Sequence, residues 1–140
     1  MSTSPRITVQ CAINAPLEHV WNCWTMPEHI TQWNHAGDDW HCPAATNDLR
    51  VGGSFVATMA AKDGSVSFDF IGIYDEIVQH ASIAYHMPDN RKVEVSFRSV
   101  GDATEVIETF DPENEHPPEM QQAGWQMILD NFKKHAEASR

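Results

Sequence analysis

Residues 54–74 read SFVATMAAKDGSVSFDFIGIY, and the fold turns on how this stretch is read. In Ser54–Ala61 the apolar Phe55, Ala57 and Met59 fall on alternate positions, the period of a strand with one buried face. Lys62-Asp63-Gly64-Ser65 follows, with Asp-Gly at its centre, which signals a tight hairpin. Val66, Phe68, Phe70, Gly72 and Tyr74 then share one face of a long second strand.

Toward the C-terminus the same grammar continues. Ala81–Met87 aligns Ile83, Tyr85 and Met87; Asp89-Asn90 turns into Arg91–Val100, which aligns Val93, Val95 and Phe97. Gly101-Asp102 turns again into Ala103–Phe110, with Val106 and Phe110 aligned. Strand, tight turn, strand is the signature of an antiparallel meander. An acidic, proline-containing loop spans Asp111–Pro118, and from Pro118 the period becomes helical. Gln121, Trp125, Ile128, Leu129 and Phe132 form one stripe, with Lys133, Lys134 and His135 near the negative end of the helix. Roughly 19 residues give a helix near ~28 Å, long enough to cross a sheet.

Toward the N-terminus, Ile7–Ile13 alternates as a further strand. Asn14 is expected to cap a short helix with Pro16 in its first turn and Leu17, Val20, Trp21 and Trp24 on one side. Thr25 is expected to cap a second short helix, with Glu28 completing a capping box and Ile30 and Trp33 facing inward. Residues 34–48 are polar and aromatic; a short strand is expected over Asp39–Cys42, and Asp48–Gly53 reads as a turn.

The architecture implied is α+β. A curved antiparallel sheet of about six or seven strands wraps around a long C-terminal helix, two short helices follow the first strand, and residues 1–140 form one domain. This arrangement is a helix grip.

Nine basic residues against twenty acidic ones give a formal net charge of -11. Such a surface repels phosphate backbones and anionic lipids, so neither nucleic acid nor membrane is expected as a partner. No apolar run is long enough to span a bilayer, and Met1–Pro5 lacks the pattern of a secretory signal, so the cytoplasm is the expected compartment. Cys11, Cys23 and Cys42 are odd in number and form no CxxC pair, which favours free, largely buried thiols.

An ordered set of short motifs carries a family resemblance. It comprises Ala15-Pro16-x-x-x-Val20-Trp21, Pro27-Glu28-His29-Ile30-x-x-Trp33 and Asp48-Leu49-Arg50-x-Gly52-Gly53-x-Phe55. It continues with Gly72-x-Tyr74-x-Glu76-Ile77, Ile83-x-Tyr85 and Glu119-x-Gln121-x-x-Gly124-Trp125-x-x-Ile128-Leu129. Together these motifs resemble the SRPBCC (START and Bet v-like) superfamily, in the branch similar to the C-terminal domain of the activator of heat-shock-protein-90 ATPase. The resemblance implies the helix grip and a cavity between sheet and helix. It carries function less far, because the same fold hosts carriers, cyclases, hydrolases and co-chaperone domains. The pattern begins at about Ile7, so the N-terminal docking domain of the full-length co-chaperone is expected to be absent, and a chaperone partner and a role in the stress response rest on the family name.

Glu108 is the most informative single residue. It alternates in phase with Val106 and Phe110, so its carboxyl is expected to face inward, where it needs a partner or a raised pKa. Gly72 and Gly124 are expected to leave gaps where larger side chains would fill a core. Trp21 and Trp24 suit core packing, while Trp33 and Trp40 lie near or within the irregular segment that would control access. The cavity candidates are Trp24, Trp33, Trp40, Phe55, Met59, Phe68, Phe70, Tyr74, Tyr85, Phe97, Glu108, Gln121, Trp125 and Ile128. His35, His41 and Cys42, with Asp38 and Asp39 nearby, match no standard zinc spacing, so no metal or cofactor is expected. No GxSxG elbow and no phosphate-binding glycine loop occurs.

Two functions from different classes stay open, with a third behind them. The first is a non-enzymatic module binding a small hydrophobic or aromatic ligand. The second is a cavity enzyme of cyclase or hydrolase type with Glu108 as acid or base. The third is surface modulation of a chaperone ATPase. A homodimer is compatible with each.

Overall fold

The computed structural model describes residues 6–140; the Met1–Pro5 segment, read above for a signal, lies outside the described residues. Seven strands form one antiparallel sheet: β1 (Ile7–Ile13), β2 (Trp40–Asn47), β3 (Ser54–Ala61), β4 (Ser67–Val78), β5 (Ser82–His86), β6 (Lys92–Val100) and β7 (Ala103–Phe110). Their spatial order is β1-β7-β6-β5-β4-β3-β2, so the consecutive strands β2 to β7 form a meander and β1 closes beside β7. Helices α1 (Leu17–Thr25) and α2 (Pro27–Trp33) carry the chain from one sheet edge to the other, and α3 (Pro118–Ser139) packs on the inner face. No helix among the described residues is long and apolar enough to cross a membrane.

Alternation sets which residues point inward. In β7, Thr104, Val106, Glu108 and Phe110 are buried; in β6 the inward set is Val93, Val95 and Phe97. Register pairs Glu108 with Val95 and with Val9 of β1, so the carboxyl leaves a row of aliphatic neighbours. Two irregularities bend the sheet. One lies in β2 between His41 and Ala44, at Pro43; the other lies in β4 between Tyr74 and Glu76, at Asp75. The core fills the concave side, with Ile13, Val20, Ile83, Phe110, Leu129 and Phe132 fully enclosed.

Several local expectations are corrected. Asn14 does not cap α1: the cap position is Pro16, without a side-chain bond. Asn14 instead ties β1 to the end of α3, its N–H donating to Glu137 Oε2 at 2.8 Å and its carbonyl accepting from Arg140. Thr25 does not open α2 but closes α1, its hydroxyl donating back to the Trp21 carbonyl at 2.9 Å. Pro27 explains this, because a residue preceding proline is driven into extended backbone, and the break therefore falls on Met26. Strand β2 runs on to Asn47, well past Cys42, by pairing with β3. Helix α3 continues to Ser139, so Lys133, Lys134 and His135 lie before its last turn; Lys133 Nζ donates to the Ala12 carbonyl at 2.7 Å.

Candidate functional site

Between the concave sheet and α3 lies a cavity of about 420 Å³. That volume falls in the usual range for small-molecule sites, ~300–1,000 Å³. Strands β3 to β5 supply Phe55, Met59, Phe68, Phe70, Tyr74, Ile83 and Tyr85; α3 supplies Gln121, Gly124, Trp125, Ile128 and Leu129. Trp24, Ile30, Trp33 and Asn34 close one side from α1, α2 and the residue that follows them. Arg91, Glu113 and His116 stand at a polar end with Met120.

Aromatic packing holds the walls apart. Trp125 stacks flat on Phe110, with centroids 3.8 Å apart and planes 10° apart. Its other neighbour, Phe70, meets it edge-on at 6.0 Å, and Phe70 in turn stacks with Phe55 at 5.9 Å. Trp24 and Trp33 lie 5.1 Å apart and both meet Phe132 edge-on. Rings fixed on each other in this way cannot collapse into the space between them.

All the cavity candidates named from the sequence line this space except Trp40 and Phe97. Trp40 begins edge strand β2 and sets its ring edge-on against Phe68. Phe97 lies where α1 covers β6, engaged edge-on by Trp21 and Trp24 at 5.2 and 5.7 Å. Gly72 leaves no gap: a Cβ there would stand 2.2 Å from Phe55 Cε2 and 2.7 Å from Tyr85 Cδ2, so rings already occupy its space. At Gly124 a Cβ would meet nothing within 4 Å, and the opening is real.

Most polar groups on the lining already serve the protein. Tyr74 donates its hydroxyl to Asn47 Oδ1 at 2.6 Å, and Asn47 donates to the Thr25 carbonyl at 2.6 Å, which ties the sheet to α1. The Gln121 amide accepts from Glu113 N–H at 2.9 Å and donates to the carbonyls of Glu113 and His116, pinning the 111–118 loop to α3. Glu108 differs. Only 6% exposed, its carboxyl forms no hydrogen bond or ion pair among the described residues, and burial pushes its pKa up from 4.5 to about 8. It is therefore protonated at neutral pH, a hydrogen-bond donor at the wall of an apolar chamber. The Tyr85 hydroxyl is raised well above its ordinary value, by burial first and by proximity to Glu108 second.

A family model described as Activator of Hsp90 ATPase homolog 1-like protein matches residues 14–137. The chain belongs to this family. An AHSA1-like protein of Aeromonas hydrophila is 45% identical, with a TM-score of 0.91 over 96% of this chain and 94% of that one. A protein of Cytophaga hutchinsonii is 49% identical, with a TM-score of 0.82 over 96% and 93%. A Nitrosomonas europaea protein, 17% identical with a TM-score of 0.82 over 96% of each chain, shares the fold. No curated protein matches the chain. Family membership agrees with the SRPBCC superfamily and its seven-stranded, helix-covered sheet.

Sequence reasoning missed several lining residues. Ile83 and Met87 carried the signal of strand phase, already visible in the alternation of Ala81–Met87. Asn34, Arg91, Glu113 and His116 come from connecting segments, where no period exists to orient them.

Proposed function

We propose that this protein binds a small hydrophobic or aromatic molecule, and that Glu108 anchors it by donating a hydrogen bond. One observation carries the reading: a buried carboxyl with no partner among the described residues faces a chamber of about 420 Å³ whose walls are mainly aromatic and aliphatic. A neutral carboxyl there favours a ligand with an acceptor, such as a carbonyl or ether oxygen, at one end of an apolar body. Stacking on Trp125 and Phe70 favours a planar body.

The test is displacement of a fluorescent apolar probe, together with native mass spectrometry of the purified protein. Saturable binding at one site is expected, and Gly124→Leu should abolish it by filling the opening without disturbing the core. No binding by any apolar probe, or binding unaffected by Gly124→Leu, would overturn the proposal. Chemical change of a bound molecule, lost in Glu108→Gln, would instead support acid–base catalysis in the same cavity.

A further inference from the structure

A second group of side chains lies away from the cavity lining, where the three helices meet. Cys23 near the end of α1, His29 in α2 and His135 in α3 offer ligand atoms that all lie within 4.8 Å of one another. His29 Nδ1 and His135 Nε2 are 2.8 Å apart, so one ring donates to the other. Cys23 is fully buried, while both histidines are partly exposed.

The surroundings hold this group in place. Trp33 Nε1 donates to the Cys23 carbonyl at 2.9 Å and fixes α2 against α1. His19 stands one turn before Cys23; its Nε2 donates to the Ala136 carbonyl at 2.9 Å and lies 3.5 Å from Cys23 Sγ. Ser139 donates to the His135 carbonyl at 2.7 Å, setting the end of α3 beside the thiol. The ligands therefore come from three separate elements that the fold locks together.

From this convergence of one thiol and two imidazoles we propose a binding site for a single zinc-class divalent ion, held by Cys23 Sγ, His29 Nδ1 and His135 Nε2, with His19 as a positioning residue. Zinc accepts sulfur at ~2.3 Å and imidazole nitrogen at ~2.0–2.1 Å in a tetrahedron. Such bonds place ligand atoms roughly 3.3–3.6 Å apart, so the two imidazole nitrogens, 2.8 Å apart, separate by about half an ångström or more, with the sulfur already within 4.8 Å of both. On binding, the thiol proton leaves to solvent, and the proton between the two rings passes through solvent to the non-coordinating nitrogen of the ring that held it, leaving both imidazoles neutral. Three protein ligands leave a fourth position for water. Soft sulfur with imidazole favours zinc or cobalt over magnesium or calcium.

The experiment titrates the chelator-stripped 140-residue chain with Co2+ and follows the near-ultraviolet thiolate-to-cobalt band, then displaces cobalt with Zn2+. One equivalent of Co2+ should generate the band, and one of Zn2+ should remove it. Cys23→Ser should lose the band, whereas Cys11→Ser, Cys42→Ser and the cavity variant Gly124→Leu should keep it. His29→Gln and His135→Gln should each weaken Co2+ binding by ~10-fold or more, and His19→Ala by ~10–100-fold through misplacement of the ligands. Far-ultraviolet circular dichroism checks folding; if Cys23→Ser does not fold, the histidine variants decide. No band in the unmodified chain, a band that survives in folded Cys23→Ser, or unchanged affinity in both histidine variants refutes the site.

Discussion

At Glu108, folding and binding are coupled through one proton. In the folded chain the carboxyl keeps its proton to about pH 8, whereas unfolded it ionises near 4.5. Between those values unfolding releases a proton, so stability is full below about pH 4.5 and declines as pH rises toward 8. Glu108→Gln should remove that decline and make the protein more stable above pH 8, by on the order of 3–5 kcal/mol. Urea unfolding at pH 5 and pH 8.5 checks this; parallel losses in both proteins would place the pH dependence elsewhere. Ligand affinity in the unmodified chain should also fall as Glu108 ionises, and stay level in the Gln variant. The inward phase of Glu108 was legible in the alternation of β7, because period two is a local property of a strand. That it has no partner among the described residues was not legible, since every candidate partner is distant in sequence.

Two glycines of opposite character mark the elements that shape the cavity. On α3, Gly124 has open space where a side chain would go. Gly124→Ala should therefore stabilise the protein by ~0.5–1 kcal/mol, because alanine favours helix and loses less backbone freedom on folding. A thermal melt showing no gain, or a loss, would contradict the open geometry. On β4, Gly72 is the contact point for two rings. Gly72→Ala should push Phe55 into the cavity and cost ~1–3 kcal/mol. Phe55→Leu added to that variant should recover part of the loss, which the denaturant midpoint of the double variant tests. From sequence the two glycines read alike; only the rings that β3 and β5 bring to Gly72 separate them.

For the molecule as a whole, a bound ligand should act as an added core. At free ligand one hundredfold above its dissociation constant, stability rises by ~2.7 kcal/mol. Calorimetry should show a melting temperature higher by several degrees, and the fluorescence of Trp24, Trp33 and Trp125 should change with the same saturation curve. Discordant curves would place the ligand outside the cavity.

The amino-acid sequence alone determined the meander of β3 to β7, the two short helices, the closing α3 and the inward faces of β1 and β5 to β7. These follow from periods of two and 3.6 residues, and a period needs only neighbours along the chain. Tertiary structure decided what the inward faces leave between them. It showed that Trp125 rests on Phe110, that Gln121 bonds to the 111–118 loop and Tyr74 to Asn47 of β2, and that Trp40 and Phe97 are engaged elsewhere. It also joined Cys23, His29 and His135, which no spacing connects because each lies on a different helix. A void or a ligand cluster is a relation among side chains from distant segments, and only packing in three dimensions fixes such a relation.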